Sequence, residues 1–193
     1  YFFLTLSALN LKDMGDFVGI AIMPDTPTIV ILVSFMCICA WAVRGGIEIV
    51  TRYSLFFTFT TSFIIIVTFF LAFNDIDFNN FLPIFNQPFM KYLQGTHIIS
   101  TIPFGEIVVF LMVTPNIEIP KNKIGKYFTL GFAIGGISLI LIILRDIAVL
   151  GNVITLFTFP SFETLRMIRL SSTLGRMEVL FAVILITLMF FKI

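Results

Sequence analysis

Seven consecutive residues, Ser100-Thr101-Ile102-Pro103-Phe104-Gly105-Glu106, carry the chemistry of a small-solute grip inside an otherwise apolar stretch. Proline has no N–H and clashes with the carbonyl four residues earlier, while glycine frees the backbone, so a helix should break here. In lipid such a break strands C=O and N–H groups, and it is tolerated only beside a cavity or against protein. Carbonyls ending one half-helix can accept an ammonium. The N–H groups opening the next can take a carboxylate. Glu106 falls where the second half begins, and an ionisable group at this depth is a functional candidate. A simple proline kink with Glu106 held by an internal partner accounts for the same residues equally well.

The remaining polar residues support blander readings. Lys12 and Asp16 are four apart and could pair on one helix face, in the bundle interior or, more blandly, near the outer interface. Arg44, Glu48 and Arg52 follow one another at intervals of four around Gly45-Gly46, which predicts a short amphipathic helix on the cytoplasmic surface, with a hinge as the alternative. Arg145-Asp146, and Arg176 with Glu178, sit at span ends, where snorkelling or loop pairing suffices. Gly131 and Gly135, with Gly136 beside them, form a small-residue pair suited to helix packing. His97 reads as an interfacial hydrogen-bonder. Cys37 and Cys39 point to different helix faces, so neither a metal pair nor a disulfide follows. With no H-E-x-x-H, G-x-S-x-G, P-loop or second histidine, no catalytic residues, metal or cofactor are expected.

The elements that must position the break are set by composition. Of 193 residues, 59% are apolar and 12% charged, with 25 Phe, a mean hydropathy of +1.08 and a net charge of +1. Soluble domains carry about 25% charged residues, so water is not this chain's solvent. The same figures exclude disorder and a nucleic-acid partner, because there is no basic block to neutralise phosphates. Crossing the roughly 30 Å hydrocarbon layer takes about 20 helical residues. Thr26–Val43, Tyr53–Asn74 and Tyr127–Leu144 are charge-free runs of 18, 22 and 18 residues, and Tyr92–Ile117 holds 26 residues with Glu106 alone charged. The expected fold is all-α, a multi-pass transmembrane helical bundle. Its approximate spans are 1–23 (partial), 27–43, 54–73, 96–114 (broken near 101–106), 127–148 and 175–193. The chain starts without Met inside an apolar run and stops just after another, and so reads as a fragment. Alternating spans put five Lys/Arg in 22 connecting positions on one side and three in 50 on the other. The first side is therefore cytoplasmic.

Several motifs together resemble a known family. In order they are Asp25-Thr26-Pro27, Gly45-Gly46-Ile47-Glu48 with Arg52, Asp75-Ile76-Asp77-Phe78-Asn79-Asn80-Phe81-Leu82-Pro83, Pro103-Phe104-Gly105-Glu106 with Phe110-Leu111, Phe159-Pro160-Ser161 and Arg176-Met177-Glu178. Their order and spacing resemble the spore germination permease family, the B subunits of GerA-type nutrient germinant receptors, which are similar to amino acid/polyamine/organocation transporters. The resemblance implies a ten-span inverted-repeat fold, of which this chain covers about spans three to eight. The break then belongs to the sixth span, and half of the pocket to a first span outside this chain. Carried over by position, Thr101, Pro103, Phe104, Gly105 and Glu106 would face the ligand, with Met177 and Phe181 contributing from the eighth span. Glu106 follows the glycine directly, a departure from some members. The implied role is a germinant sensor for a small molecule such as an amino acid. Its partners would be an A-type membrane subunit and a C-type lipoprotein, in the inner membrane of the spore. The alternative is an amino acid transporter of the same fold.

Overall fold

A computed structural model describes the chain except residues 84–85, 103, 111–113, 115–119, 168–177 and 193, and gives only the backbone of 121 and 122. The described residues are helical, with no strand. The α-helices are α1 (Phe2–Phe17), α2 (Thr28–Arg44), α3 (Ile47–Leu71), α4 (Phe89–Thr101), α5 (Lys121–Leu150), α6 (Pro160–Met167) and α7 (Glu178–Lys192). A π-turn, Val18–Ile22, extends α1, and 3₁₀ turns occupy Ala72–Asp75, Phe78–Phe81, Gly105–Val109 and Gly151–Leu156.

Two of these helical stretches, Ile47–Asp75 and Lys123–Leu156, are long and apolar enough to cross a membrane. At 1.5 Å per residue their 29 and 34 residues give roughly 44 and 51 Å, more than the hydrocarbon layer requires. A soluble protein would bury such helices in its core, yet the most apolar window is 17% buried in the first and 0% in the second. Phe56, Phe59, Phe63 and Phe70 of α3 all point outward. Hydrocarbon is the solvent that suits such faces, and the protein is a membrane protein. Exposed hydroxyls on the apolar helices satisfy themselves: Ser34 of α2 donates to the Val30 carbonyl, and on α3 Thr58 donates to Ser54 and Thr60 to Phe56, each four residues back.

The chain divides into two compact units, Tyr1–Asn80 with Ser138–Ile193, and Phe81–Ile137. The core of the first gathers around Phe17, which is fully buried. Its ring meets Phe159, Phe162 and Phe181 edge-on at centroid distances of 5.0, 5.7 and 6.0 Å. Met14, Phe35, Cys39 and Ala182 complete this cluster, joining α1, α2, α6 and α7. Cys37 is exposed, as the two-residue spacing from buried Cys39 requires.

Three readings of local sequence need correction. Arg44, Glu48 and Arg52 do not form a separate surface helix. Arg44 ends α2, Gly45-Gly46 makes the turn with Gly46 at φ +84°, and Glu48 and Arg52 lie in the opening turns of the continuous α3. Arg44 at a C-terminus and Glu48 at an N-terminus each complement a helix dipole. Likewise, Gly131 and Gly135 have nothing within 4 Å of a notional Cβ, and the close contact belongs to Gly136, against the ring of Phe104. Lys12 and Asp16 are both exposed and do not pair with each other.

The Asp75–Pro83 motif has a structural task. Asp77 Oδ1 accepts the Asn79 N–H at 2.9 Å, an Asx turn that presents the segment to the end of α5. There the Ala148 carbonyl accepts the Asp77 N–H at 3.1 Å and Asn80 Nδ2 at 2.8 Å. Gly151 then turns the chain at φ +54°, and a Cβ there would lie 2.5 Å from Asn80 Oδ1. Gly151→Ala should therefore lower stability by about 2–3 kcal/mol, combining left-handed strain with displacement of the Asn80 amide. In an Asn80→Ala background the clash is gone and the added cost should fall to about 1–2 kcal/mol. Thermal unfolding of the four proteins of this cycle checks it.

Candidate functional site

The α-helix entering the break stops at Thr101. Ile102, the C-cap, still donates its N–H to the Ile98 carbonyl at 2.9 Å and keeps right-handed dihedrals at φ −78° and ψ −70°. Pro103 lies outside the described residues; chemically it has no N–H to offer the Ile99 carbonyl. Beyond it the backbone tightens into the 3₁₀ turn Gly105–Val109, where the Ile107 N–H reaches the Phe104 carbonyl at 3.3 Å. Neither α4 nor this turn contains a buried residue.

Four of the sequence-predicted site residues surround this transition. Thr101 is exposed, and its hydroxyl donates to the His97 carbonyl at 2.7 Å, leaving oxygen lone pairs outward. Gly105 is exposed, with nothing within 4 Å of a notional Cβ. Glu106 is half-buried in the first turn of the 3₁₀ segment, where the dipole favours its charge. Phe104 is an anchor: its ring stacks on Phe132 at 4.5 Å and rests 3.7 Å from a notional Gly136 Cβ, pinning the break to α5. Phe110 meets Phe128 on the same helix at 5.9 Å. Two of the other predicted contacts lie elsewhere in the chain. Phe181 belongs to the other unit, where it packs in the Phe17 core, and Met177 lies outside the described residues.

Comparison with known proteins decides the family. The chain matches the spore germination protein family over residues 1–193. It belongs to that family. It is 30% identical over 196 residues to spore germination protein KB of Bacillus subtilis (strain 168), an alignment covering 100% of this chain and 52% of that protein. The putative spore germination protein YfkT of the same organism is 26% identical over 196 residues, again 100% of this chain and 52% of the relative. Spore germination protein A2, also from that organism, is 28% identical over 165 residues, 85% of this chain and 42% of the relative. The chain thus spans about half the length of the curated relatives it matches. No solved structure matches it.

In this spore germination protein the least anticipated polar feature is the pair Arg145–Asp146. Adjacent charges at a span end read as snorkelling groups, but the structure buries both, to 3% and 4% exposure. Arg145 Nε and Nη2 donate to Asp146 Oδ1 at 3.0 and 2.7 Å. Its Nη1 donates to Thr68 Oγ1 at 2.8 Å, and Thr68 in turn donates to the Ile65 carbonyl at 2.9 Å. Ser161 Oγ donates to the other carboxylate oxygen, Oδ2. One charge pair from α5 thereby ties α3 to α6. A spacing rule could not have found it, since Thr68 is 77 positions from Arg145 and Ser161 is 15 from Asp146. Asn10 was also missed; it is 4% exposed and its Nδ2 has no hydrogen-bond partner among the described residues.

Breaking such a pair leaves a buried charge uncompensated. Arg145→Met should destabilise by about 3–5 kcal/mol, whereas the double replacement Arg145→Met with Asp146→Leu should recover much of that loss. Unfolding midpoints of purified protein in detergent, compared across both single variants and the double, check the asymmetry.

Proposed function

We propose that this chain is part of a membrane-embedded nutrient sensor of spore germination, binding a small molecule such as an amino acid at the break between Thr101 and Glu106. The observation that carries the reading is the end of α4 at Thr101 followed by a 3₁₀ turn with open space at Gly105, inside an apolar stretch of a membrane protein. Carbonyls at the end of α4 offer an ammonium-binding edge, and the N–H groups of the next turn offer an edge for a carboxylate. On this reading the chain represents about spans three to eight of a ten-span inverted-repeat fold, and a first span supplies the rest of the pocket. Pro103, Met177 and Phe181 are its further proposed contacts. The protein would act in the inner membrane of the spore beside an A-type membrane subunit and a C-type lipoprotein.

A ligand passes a signal only if it binds one conformation of the bundle better than another. The 3₁₀ turn is suited to such a choice, because few packing contacts resist its rearrangement. The family relationship equally admits a permease that moves the solute through the same break.

In full-length protein, Glu106→Gln or Gly105→Leu should raise the nutrient concentration for half-maximal germination by about tenfold or more, at normal protein level. An unchanged dose response removes the break as the site. Uptake of radiolabelled amino acids into proteoliposomes separates the two readings: none is expected of a sensor, and saturable uptake abolished by Gly105→Leu would make the protein a transporter.

A further inference from the structure

The unit formed by Tyr1–Asn80 and Ser138–Ile193 contains a cavity of about 250 Å³ that does not involve the helix break. Ile20 of the π-turn, Leu156 and Phe159 of the connection after α5, and Phe162, Glu163 and Arg166 of α6 line it. Its aromatic walls are fixed from behind. Phe159 and Phe162 both pack edge-on against Phe17, and α6 is held in place through Ser161 and Asp146. A π-turn widens the helix by one residue per turn, and such turns recur at functional sites.

The polar groups identify what fits. Glu163 and Arg166 are one turn apart on α6, and Arg166 Nη1 lies 3.6 Å from Glu163 Oε1, well beyond the 2.7–2.9 Å of a closed charge-assisted bond. Neither side chain has another hydrogen-bond partner among the described residues. The Glu163 side chain is 22% exposed and so partly desolvated, while Arg166 at 65% can swing to meet a solute. Arg166 disfavours a simple cation here, and Glu163 disfavours a simple anion. A molecule carrying an ammonium and a carboxylate on one carbon satisfies each of them, and an apolar remainder can lie against Ile20, Leu156 and the phenylalanines. The volume is below the 300–1,000 Å³ of drug-sized sites, which limits the occupant to about one amino acid.

From these features we infer a second binding site, for a small zwitterion of the α-amino-acid type with an apolar side chain, whose ammonium meets Glu163 and whose carboxylate meets Arg166. The site is lined by none of the residues of the break and does not depend on it.

The test is photocrosslinking of full-length protein in lipid nanodiscs with photo-leucine, the diazirine analogue of leucine, followed by peptide mapping. Incorporation is expected in peptides covering 156–166. Leucine should compete with it, but leucinamide, lacking the carboxylate, and 4-methylpentanoate, lacking the ammonium, should not. Glu163→Gln and Arg166→Gln should each reduce labelling there by about tenfold. Incorporation confined to peptides around Phe104–Glu106 overturns the second site and upholds the break. Incorporation confined to 156–166 does the reverse. Equal competition by leucinamide, or no labelling of 156–166, also overturns the inference. Should a variant fail to fold, the wild-type map and its competition pattern decide the matter alone.

Discussion

A buried charge pair fixes the larger unit. Taking a guanidinium and a carboxylate out of water costs several kcal/mol per ion, and the pair is tolerable only when every polar position around it is occupied. Arg145 and Asp146 meet this condition with Thr68 on α3 and Ser161 on α6. Because hydrogen bonds are directional where apolar contacts are not, the pair sets the register of three helices that lipid-facing apolar surfaces would leave free to slide. Two residues on, the Ala148 carbonyl receives Asp77 and Asn80, so polar groups at the end of α5 bind the chain on both sides.

The consequences extend to the rest of that unit. Once Ser161 is held, α6 places Phe162 against Phe17, and Phe17 in turn orders Phe159 and Phe181. An aromatic cluster built of edge-on pairs is rigid, which suits a framework more than a moving part. The break at Thr101 has the opposite character. It is a 3₁₀ turn with no buried residue among the described ones, held to α5 by Phe104 on Phe132 and Gly136 and by Phe110 on Phe128. Regions of low local stability are those that a ligand can most readily rearrange.

What could be read from residues alone follows from which constraints are local. Helical class and membrane setting were legible because hydropathy is a sum over windows, and so was the end of a helix ahead of Pro103, where covalent chemistry forbids the next bond. The family was legible from the order of short motifs. The burial of Arg145 and Asp146 was not, since it depends on a threonine and a serine far away in sequence. Nor could the sequence show that Gly136, not Gly131 or Gly135, makes the close approach, because any of the three suits a helix contact. The ladder Arg44–Glu48–Arg52 misled for a related reason: period-four charges look alike on a surface helix and on the first turns of a span. The cavity beside α6 needs a π-turn, a loop and a short helix together, and no motif announces it.

On the proposed reading the backbone of Phe104–Phe110 is weakly held and open to a solute, while the Arg145–Asp146 frame is not. Hydrogen exchange on the full-length protein in nanodiscs, with and without a mixture of the twenty proteinogenic amino acids, measures this directly. Amides of Phe104–Phe110 should exchange far faster than those of Ile65–Thr68 and Leu144–Val149, and should slow on addition of the mixture. Equal protection of both regions without the amino acids, or exchange at Phe104–Phe110 that the mixture leaves unchanged, would contradict the account.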